Sequence, residues 1–350
     1  GQTDNNKKMK KLLVITMLSG VLFTSCQKLL LGPVVSNTPV TNFEEMWKGY
    51  DAWYGGFEAR NIDWDSVHQA LRAEVNDGMS NQQLYEVLSK MITPLNDIHA
   101  FLQPTSDGLP RYESSSFFRE NKVQEDFSIE VINRNYLPTL IAVDDKLHYG
   151  ILDGNIGYLH FGEFGMPLSF YQQKMPEIMH VLKDTKAMIV DIRDHSGGDD
   201  EVSRYLAGWF AAERKLFMTT RKRNGPARDH FTAPAQWYVD LQGDHQYIKP
   251  VVLLTTRWTA SAGETYTWAM NTQAQVTQMG DTTAGGFSDV ISRELPNGWL
   301  YFVGVGDYRN ASGRSEEGIG VTPKIYAINT KEDIDAGKDK VLEKAIAKVK

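Results

Sequence analysis

Two largely apolar runs restrict the fold more than any other feature of this chain. They are residues 187–193 (AMIVDIR) and residues 251–256 (VVLLTT), and each has the length of a strand. Apolar runs of this length are typical of strands that are buried on both faces of a parallel sheet. Each run leads through a short loop into a helical pattern, and strand–loop–helix units dominate residues 150–330. This alternation predicts an α/β fold.

The two loops that follow these strands are the first candidates for a functional site. In an open α/β sheet, ligands bind beyond the carboxyl ends of the strands. The first loop reads DHSGGDD (194–200) and the second reads RWTA (257–260). The glycine pair in the first loop allows a backbone N–H to point into a cleft at close range.

The remaining residues divide by their local patterns. Helical patterns with polar capping residues precede the sheet, and the Asp153-Gly154 turn between two β-like runs is typical of a hairpin. The C-terminal residues form an amphipathic helical pattern with a charged outer face. We predict a signal segment at 1–26, a tether at 27–40, an N-terminal helical module at 41–101, an irregular or β connecting region at 102–149, and an α/β core with a C-terminal helix at 150–350.

The N-terminal residues have the layout of an export signal. Residues 9–26 read MKKLLVITMLSGVLFTSC, in which two lysines precede an apolar run that ends at a cysteine. The run is shorter than the roughly 20 residues that span a bilayer. The position of Cys26 resembles a bacterial lipoprotein lipobox, which implies lipidation of Cys26 and anchoring to a membrane of the cell envelope, in the periplasm or at the outer membrane. An ordinary cleaved signal with a chance cysteine is the alternative.

Composition argues against several classes of function. The 37 Lys and Arg residues and the 44 Asp and Glu residues leave a net charge of −7, and the chain has no basic block. Binding to nucleic acid needs a positive surface against the phosphate backbone, so we expect no nucleic-acid partner. The single cysteine excludes an internal disulfide and a four-thiolate zinc site. We expect no metal and no cofactor.

Ser261 is the candidate nucleophile. It lies between the second buried strand and a helical pattern, among the small residues of TASAGE (259–264). A helix N-terminus offers backbone N–H groups and the positive end of the dipole, which suits an attacking oxygen whose product is an oxyanion. The N–H groups of Ala262 and of the Gly197-Gly198 pair are candidates for an oxyanion hole. The alternatives are an ordinary capping serine and a tight turn at the glycines.

A serine nucleophile needs a general base, and the chain has eight histidines. Six of them fall on helical faces, in the arms of the hairpin or in polar stretches, where packing or surface roles are expected: His68, His148, His160, His180, His230 and His245. His99 lies in the loop that ends the helical module, and His195 lies in the glycine loop itself. Spacing does not choose between these two, because catalytic partners meet in space rather than along the chain.

Several segments resemble the family of C-terminal processing peptidases and tricorn proteases, which are serine peptidases. The segments are LNDIHAFL (95–102), DIRDHSGG (191–198), TTRWTASAGE (255–264), GDTTAGG (280–286) and EGIGVTPKI (317–325). They follow the order of the family over about residues 41–350, which is more specific than any one segment. The resemblance implies a ClpP/crotonase-like β-sheet core behind an N-terminal helical module. It also implies hydrolysis of peptide bonds through an acyl-enzyme.

The resemblance also implies roles for individual residues. The processing peptidases carry a catalytic lysine where this chain has Gly286, so the chain resembles the tricorn-like branch, which uses a serine, a histidine and a glutamate. Transferred position by position, Ser261 is the nucleophile, His99 is the base and Glu317 is the carboxylate. Glu316 is the alternative to Glu317 if the alignment shifts by one residue.

The chain departs from the family pattern at several positions. Ile98 replaces a serine of the tricorn-like branch, and His195 replaces an asparagine of the glycine segment. Asp97, next to the histidine motif, is a further candidate for orienting the imidazole. The residues between His99 and Asn155 are too few for the peptide-binding PDZ domain of the processing peptidases, so we expect no PDZ domain.

We expect a serine peptidase that acts on peptides or proteins. The competing hypothesis is a catalytically degenerate protein of the same fold that binds peptides or other ligands at the cell envelope. A Ser261 hydroxyl that lies far from any base would favour that hypothesis. An esterase ranks last, because the Gly-x-Ser-x-Gly motif is absent around Ser261. The sequence does not indicate an oligomeric state.

Overall fold

The computed structural model describes residues 35–350. The predicted signal segment with Cys26, and residues 27–34 of the predicted tether, lie outside the described residues. Within residues 35–350, no helix combines the length and the apolar character needed to cross a membrane.

The described residues form a mixed α/β structure. In chain order, the helices are α1 (Pro39–Trp53), α2 (Phe57–Arg60), α3 (Trp64–Arg72), α4 (Asn81–Ile92), α5 (Ser116–Glu120), α6 (Ile129–Asn135), α7 (Leu168–Leu182), α8 (Asp200–Ala207), α9 (Ala262–Asn271), α10 (Lys331–Asp335) and α11 (Lys340–Val349). The strands are β1 (Phe101–Gln103), β2 (Tyr112–Glu113), β3 (Ile141–Ala142), β4 (Leu147–Leu152), β5 (Ile156–Phe161), β6 (Ala187–Asp191), β7 (Lys215–Lys222), β8 (Ala235–Val239), β9 (Val251–Thr255), β10 (Val276–Gly280), β11 (Val290–Glu294), β12 (Leu300–Gly304), β13 (Gly306–Asn310) and β14 (Ile325–Tyr326).

A seven-stranded sheet forms the centre of the molecule, in the order β14-β10-β9-β6-β5-β4-β3. The pairs from β5 to β14 are parallel, and the hairpin β4–β5 and the pair β3–β4 are antiparallel. Every residue of β6 and β9 is buried. The prediction of an α/β core around two strands buried on both faces is therefore confirmed.

Alternate residues of the central strands face two different cores. Val190 and Leu253 pack in the core that contains α7, α8 and α9. Their neighbours Ile189 and Leu254 point to the opposite face, where α6 and α11 cover the sheet. This alternation follows from the two-residue period of a strand, and it explains why both runs are continuously apolar in the sequence.

The N-terminal helices form a separate core against a second sheet. Polar side chains cap these helices: Thr38 caps α1, and Ser80 and Gln83 form a reciprocal capping box at α4. Their apolar faces pack on the four-stranded sheet of order β11-β12-β1-β2, with Trp64 and Trp299 fully buried between them. Because β1 begins directly after the loop that contains His99, this packing places that loop beside the carboxyl ends of the central strands.

Candidate active site

Ser261 lies at the N-terminus of α9, directly after the loop that follows β9. Its backbone has φ 54° and ψ −121°, a conformation that non-glycine residues rarely adopt. The Ser261 N–H donates to the carbonyl of Gly286 at 3.0 Å, and no capping bond holds its hydroxyl at the helix end. The strained turn therefore directs the hydroxyl away from the helix, and strain of this kind clusters at functional sites.

His99 contacts this hydroxyl. Its Nε2 lies 3.3 Å from Ser261 Oγ, although 162 residues separate the two in the chain. Burial lowers the pKa of His99, and the Asp97 carboxylate partly opposes this shift. The imidazole is therefore neutral near pH 7 and can accept the Ser261 proton at Nε2, which leaves the ring proton on Nδ1.

The carboxylate that faces Nδ1 belongs to Asp97. Asp97 Oδ1 lies 3.8 Å from His99 Nδ1 and accepts the His99 backbone N–H at 2.8 Å. The Tyr54 hydroxyl donates to Asp97 Oδ2 at 2.8 Å. Burial opposes ionisation of Asp97, but the positive charge of Arg60 and the hydrogen bonds keep its pKa below the ordinary value. His99 Nδ1 itself makes no hydrogen bond to the described residues.

The structure does not place Glu317 in contact with His99. Glu317 Oε1 accepts from Arg60 Nη2 at 2.6 Å, and Oε2 accepts from the N–H of Phe287 at 3.0 Å. Burial raises the pKa of Glu317 to about 7, and Arg60 opposes this shift. Glu316, the alternative, accepts from the Trp268 indole at 2.6 Å.

Arg60 is a residue that the sequence analysis missed. Its guanidinium binds Glu317, the carbonyl of Asn96 at 2.7 Å and the carbonyl of Gly285 at 2.8 Å, and it lies 3.6 Å from Asp97 Oδ1. Arg60 therefore links the loop that contains His99 to the loop after β10 that contains Gly285 and Gly286. No motif signals this role, because Arg60 lies in a short helix far along the chain from both loops.

Glu264 is a second residue that was missed. Its carboxylate accepts the N–H groups of Gly285 and Gly286 at 2.7 and 2.8 Å, and the Thr283 hydroxyl at 2.6 Å. It thereby fixes the loop whose Gly286 carbonyl holds the Ser261 backbone. The Ser-x-x-Glu spacing of Ser261 and Glu264, which is a capping-box pattern, was the signal available in the sequence.

Two of the three predicted oxyanion-hole residues have a free backbone N–H. Ala262 is the first residue of α9, so its N–H has no partner within the helix. Neither this N–H nor that of Gly198 donates to another group among the described residues. The Gly197 N–H instead donates to His195 Nδ1 at 3.2 Å. Gly197 has φ 125°, and a Cβ there would lie 3.0 Å from Ser261 Cβ, so the site requires glycine at this position.

His195, the competing candidate for the base, is a packing residue. It is fully buried, and its ring lies against Phe164 with 4.1 Å between the ring centroids. Burial lowers its pKa to about 3, so the imidazole stays neutral. Its Nδ1 accepts the Gly197 N–H, which shapes the glycine loop without reaching the Ser261 hydroxyl.

A cleft of about 340 Å³ lies over these groups. Its lining combines the candidate catalytic residues, the glycine loop 194–200, an apolar side and three charged side chains: Ile98, His99, Arg111, Glu113, Phe118, Asp194, Ser196, Gly197, Gly198, Trp258, Ala260 and Ser261. The Ser261 hydroxyl, the His99 imidazole and the free N–H of Gly198 therefore open into one space that a peptide segment can enter.

Comparisons with known proteins concern the family and the fold of this chain. The sequence profile of peptidase family S41 matches residues 155–327, and that of the tricorn protease C1 domain matches residues 37–93. The carboxy-terminal processing protease CtpA of Bacillus subtilis (strain 168) is 24% identical over 198 residues. This match covers 56% of the present chain but only 39% of CtpA, so the chain spans well under half of that relative.

Solved structures share the fold over nearly the whole chain. A peptidase candidate from Parabacteroides merdae ATCC 43184 superposes with a TM-score of 0.77 at 28% identity, covering 90% of this chain and 97% of that one. Mature CPAF superposes with a TM-score of 0.68 at 11% identity, covering 91% and 98% of the two chains. At that identity, the CPAF match is evidence of fold alone. The two sequence profiles, which match residues 37–93 and 155–327, show that the chain belongs to peptidase family S41, the family of C-terminal processing and tricorn-like serine peptidases.

Proposed function

We propose that this protein is a serine peptidase that cleaves peptide bonds through an acyl-enzyme on Ser261, with His99 as the general base. The 3.3 Å contact between Ser261 Oγ and His99 Nε2 carries this proposal. A degenerate binding protein would leave the hydroxyl remote from any base, so this contact favours the peptidase. The deciding experiment is hydrolysis of a peptide library together with labelling by a serine-directed phosphonate, both compared with Ser261→Ala.

The chemistry follows from the positions of these groups. The Ser261 proton moves to His99 Nε2 while Oγ bonds to the substrate carbonyl carbon, and the carbonyl oxygen becomes an oxyanion. The N–H groups of Gly198 and Ala262 stabilise that oxyanion, and each donor contributes roughly a hundredfold to a thousandfold in rate. The C–N bond then breaks as Nε2–H protonates the leaving amine. A water molecule loses a proton to Nε2, attacks the acyl carbon and releases Oγ, which recovers its proton.

Two carboxylates are candidates for orienting the imidazole. The family resemblance assigns this role to Glu317, whereas the 3.8 Å separation of Asp97 Oδ1 from His99 Nδ1 supports Asp97. A carboxylate opposite Nδ1 stabilises the imidazolium that forms during the reaction. Glu317, bound to Arg60 and to the Phe287 N–H, then acts as the anchor that joins the two loops around the nucleophile.

Asp97→Asn and Glu317→Gln should separate these two assignments. Burial lowers the pKa of His99 and Asp97 raises it, so removing the carboxylate should move the acidic limb of kcat/KM to lower pH. We expect Asp97→Asn to lose roughly a hundredfold or more in kcat as well. Glu317→Gln should leave the acidic limb in place. The measurement is a pH profile of kcat/KM for wild type and both variants.

The reverse result would return the role to Glu317. If Glu317→Gln moves the acidic limb and Asp97→Asn does not, Asp97 is a structural residue. Melting temperatures of both variants serve as the control, because each carboxylate is buried and hydrogen bonded. A change in the position of the limb is the informative readout, since loss of packing alone lowers the rate without moving the pKa of His99.

The proposed location is the bacterial cell envelope, with the protein anchored through a lipid on Cys26. The layout of residues 9–26 supports this location. When the full chain is expressed in a bacterium, Cys26→Ser should abolish incorporation of labelled palmitate and release the protein from the membrane fraction. Unchanged labelling and fractionation of the Cys26→Ser protein would contradict lipidation at this residue. The proposed substrate is a peptide or protein.

A further inference from the structure

The geometry points to Asp194 as a residue that selects substrates with a lysine or arginine side chain near the scissile bond. This inference rests on the proposed peptidase function. It concerns the class of peptide that the cleft accepts, which neither the family motifs nor the catalytic residues specify.

Asp194 lies in the same cleft as the nucleophile. It follows Arg193 at the end of the β6 segment and begins the glycine loop that leads to Gly197 and Gly198. Asp194 lines the cleft together with Ser261, and about a quarter of its side chain is exposed. A substrate bound for attack by Ser261 therefore passes within reach of this negative charge.

A buried histidine fixes the Asp194 carboxylate in place. His160 on β5 is 1% exposed, and its Nε2 lies 2.7 Å from Asp194 Oδ1. Its Nδ1 lies 3.1 Å from His148 Nδ1. With the ring proton on Nε2, His160 donates to Asp194 Oδ1 through Nε2–H, and its Nδ1 accepts a hydrogen bond from His148 Nδ1–H. The histidine thus orients one oxygen of Asp194, and Oδ2 makes no hydrogen bond to the described residues.

The other charges of the cleft are already paired. Arg111 and Glu113 form an ion pair at 2.6 Å, and the Arg111 guanidinium lies 3.5 Å from the centroid of the Phe101 ring. Lys146 is an exposed residue of the β3–β4 turn, and its Cδ and Asp194 Oδ2 lie 2.9 and 3.3 Å from the point that a Cβ on Gly162 would occupy. Among the described residues, the Lys146 ammonium makes no ion pair with Asp194. Asp194 is therefore the charged group of the cleft lining that has no lysine or arginine partner among the described residues, and His160 is its one ion-pair contact there. An ammonium or guanidinium group of the substrate would supply one.

The apolar side of the cleft suits the stem of such a residue. Trp258 and Phe118 pack edge to face with ring centroids 5.3 Å apart, and Ile98 lines the same cleft. Lysine and arginine bury their methylene stems along apolar surface while the charged end reaches a polar group. The arrangement of an apolar wall and a fixed carboxylate therefore fits a long basic side chain better than a short or acidic one.

The test uses binding, so that it does not depend on turnover. Fluorescent peptides with one lysine moved through six positions, and matched peptides with acetyl-lysine, are titrated onto the Ser261→Ala protein by fluorescence anisotropy. We expect lysine at one position to bind about tenfold tighter than acetyl-lysine, with a preference that falls as salt rises. Adding Asp194→Asn should remove the preference. Adding Asp145→Asn, the same change at an exposed aspartate of the β3–β4 turn, should keep it.

The outcomes distinguish this inference from the proposed function. Equal binding of lysine and acetyl-lysine peptides at every position, absence of peptide binding, or a preference that survives Asp194→Asn would each overturn the role of Asp194. Phosphonate labelling of Ser261 in the wild-type protein is measured in parallel. Labelling without a lysine preference removes the inference and leaves the peptidase standing, whereas failure of labelling and of hydrolysis removes the proposed function itself.

Discussion

Ser261→Ala should lower kcat/KM for peptide hydrolysis by roughly 10⁴-fold to 10⁶-fold and abolish labelling by a serine-directed phosphonate. We expect a large loss because the Ser261 hydroxyl is the proposed attacking group, and it is the one hydroxyl among the described residues that contacts the His99 imidazole, at 3.3 Å. The free N–H groups of Gly198 and Ala262 remain, and the small residual rate reflects what they contribute. The measurement is kcat/KM on a fluorogenic peptide together with mass spectrometry of the labelled protein. Wild-type activity in this variant would end the serine mechanism.

Ser261→Gly is the matched control for the backbone strain at the same position. The φ of 54° is unfavourable for serine and alanine but accessible to glycine. The glycine variant should therefore be as inactive as the alanine variant but more stable by about 1 kcal/mol. Urea denaturation of the two variants measures this difference. A glycine variant that is no more stable than the alanine variant would show that the turn at Ser261 is not strained.

The central sheet could be predicted because each of its buried strands is identified by consecutive residues of the sequence. Residues 187–190 and 251–254 are apolar at every position, so composition and length alone identify buried strands. The loops after these two strands could be predicted as well, because small residues and glycines follow each strand in the sequence. The meeting of Ser261 with His99 could not be derived in this way, because it depends on the packing of the N-terminal helices on a second sheet. The family resemblance supplied that pairing.

The groups around His99 could not be predicted for a related reason. Arg60 reaches Glu317 across 257 positions of the chain, and a contact of this kind leaves no periodic or motif signal. The resemblance placed Glu317 near the base by alignment, but side-chain direction decides which carboxylate faces Nδ1. Similarly, the pattern of two glycines predicted a close backbone approach to the cleft, but it did not predict that His195 Nδ1 accepts the N–H of Gly197.

Asp339→Ala should destabilise the protein by about 3–5 kcal/mol, the largest stability effect that we expect from a single substitution. The Arg193 guanidinium is fully buried and donates to Asp339 at 2.9 and 2.8 Å and to Asp191 at 2.9 and 2.7 Å. Removal of Asp339 leaves two guanidinium N–H groups without acceptors in the interior. It also removes the cap of α11, since Asp339 Oδ1 accepts the Leu342 N–H at 2.9 Å. Urea denaturation measures the change.

The matched control is Asp335→Ala, the same substitution in the neighbouring helix α10. Asp335 pairs with Lys331 at 2.7 Å, but both side chains are at least half exposed, so this change should cost at most about 0.5 kcal/mol.

The stabilisation by Asp339 depends on pH. Burial opposes ionisation of Asp339, but Arg193 lowers the pKa of this carboxyl group. The stabilisation is therefore present above the ordinary carboxyl pKa and is lost as pH falls through the lowered value. Equal stability of the two variants near neutral pH would show that the buried ion pair contributes little. Because Arg193 directly precedes Asp194 and its carbonyl accepts the Thr256 hydroxyl, loosening this pair should also lower peptidase activity in whatever fraction stays folded.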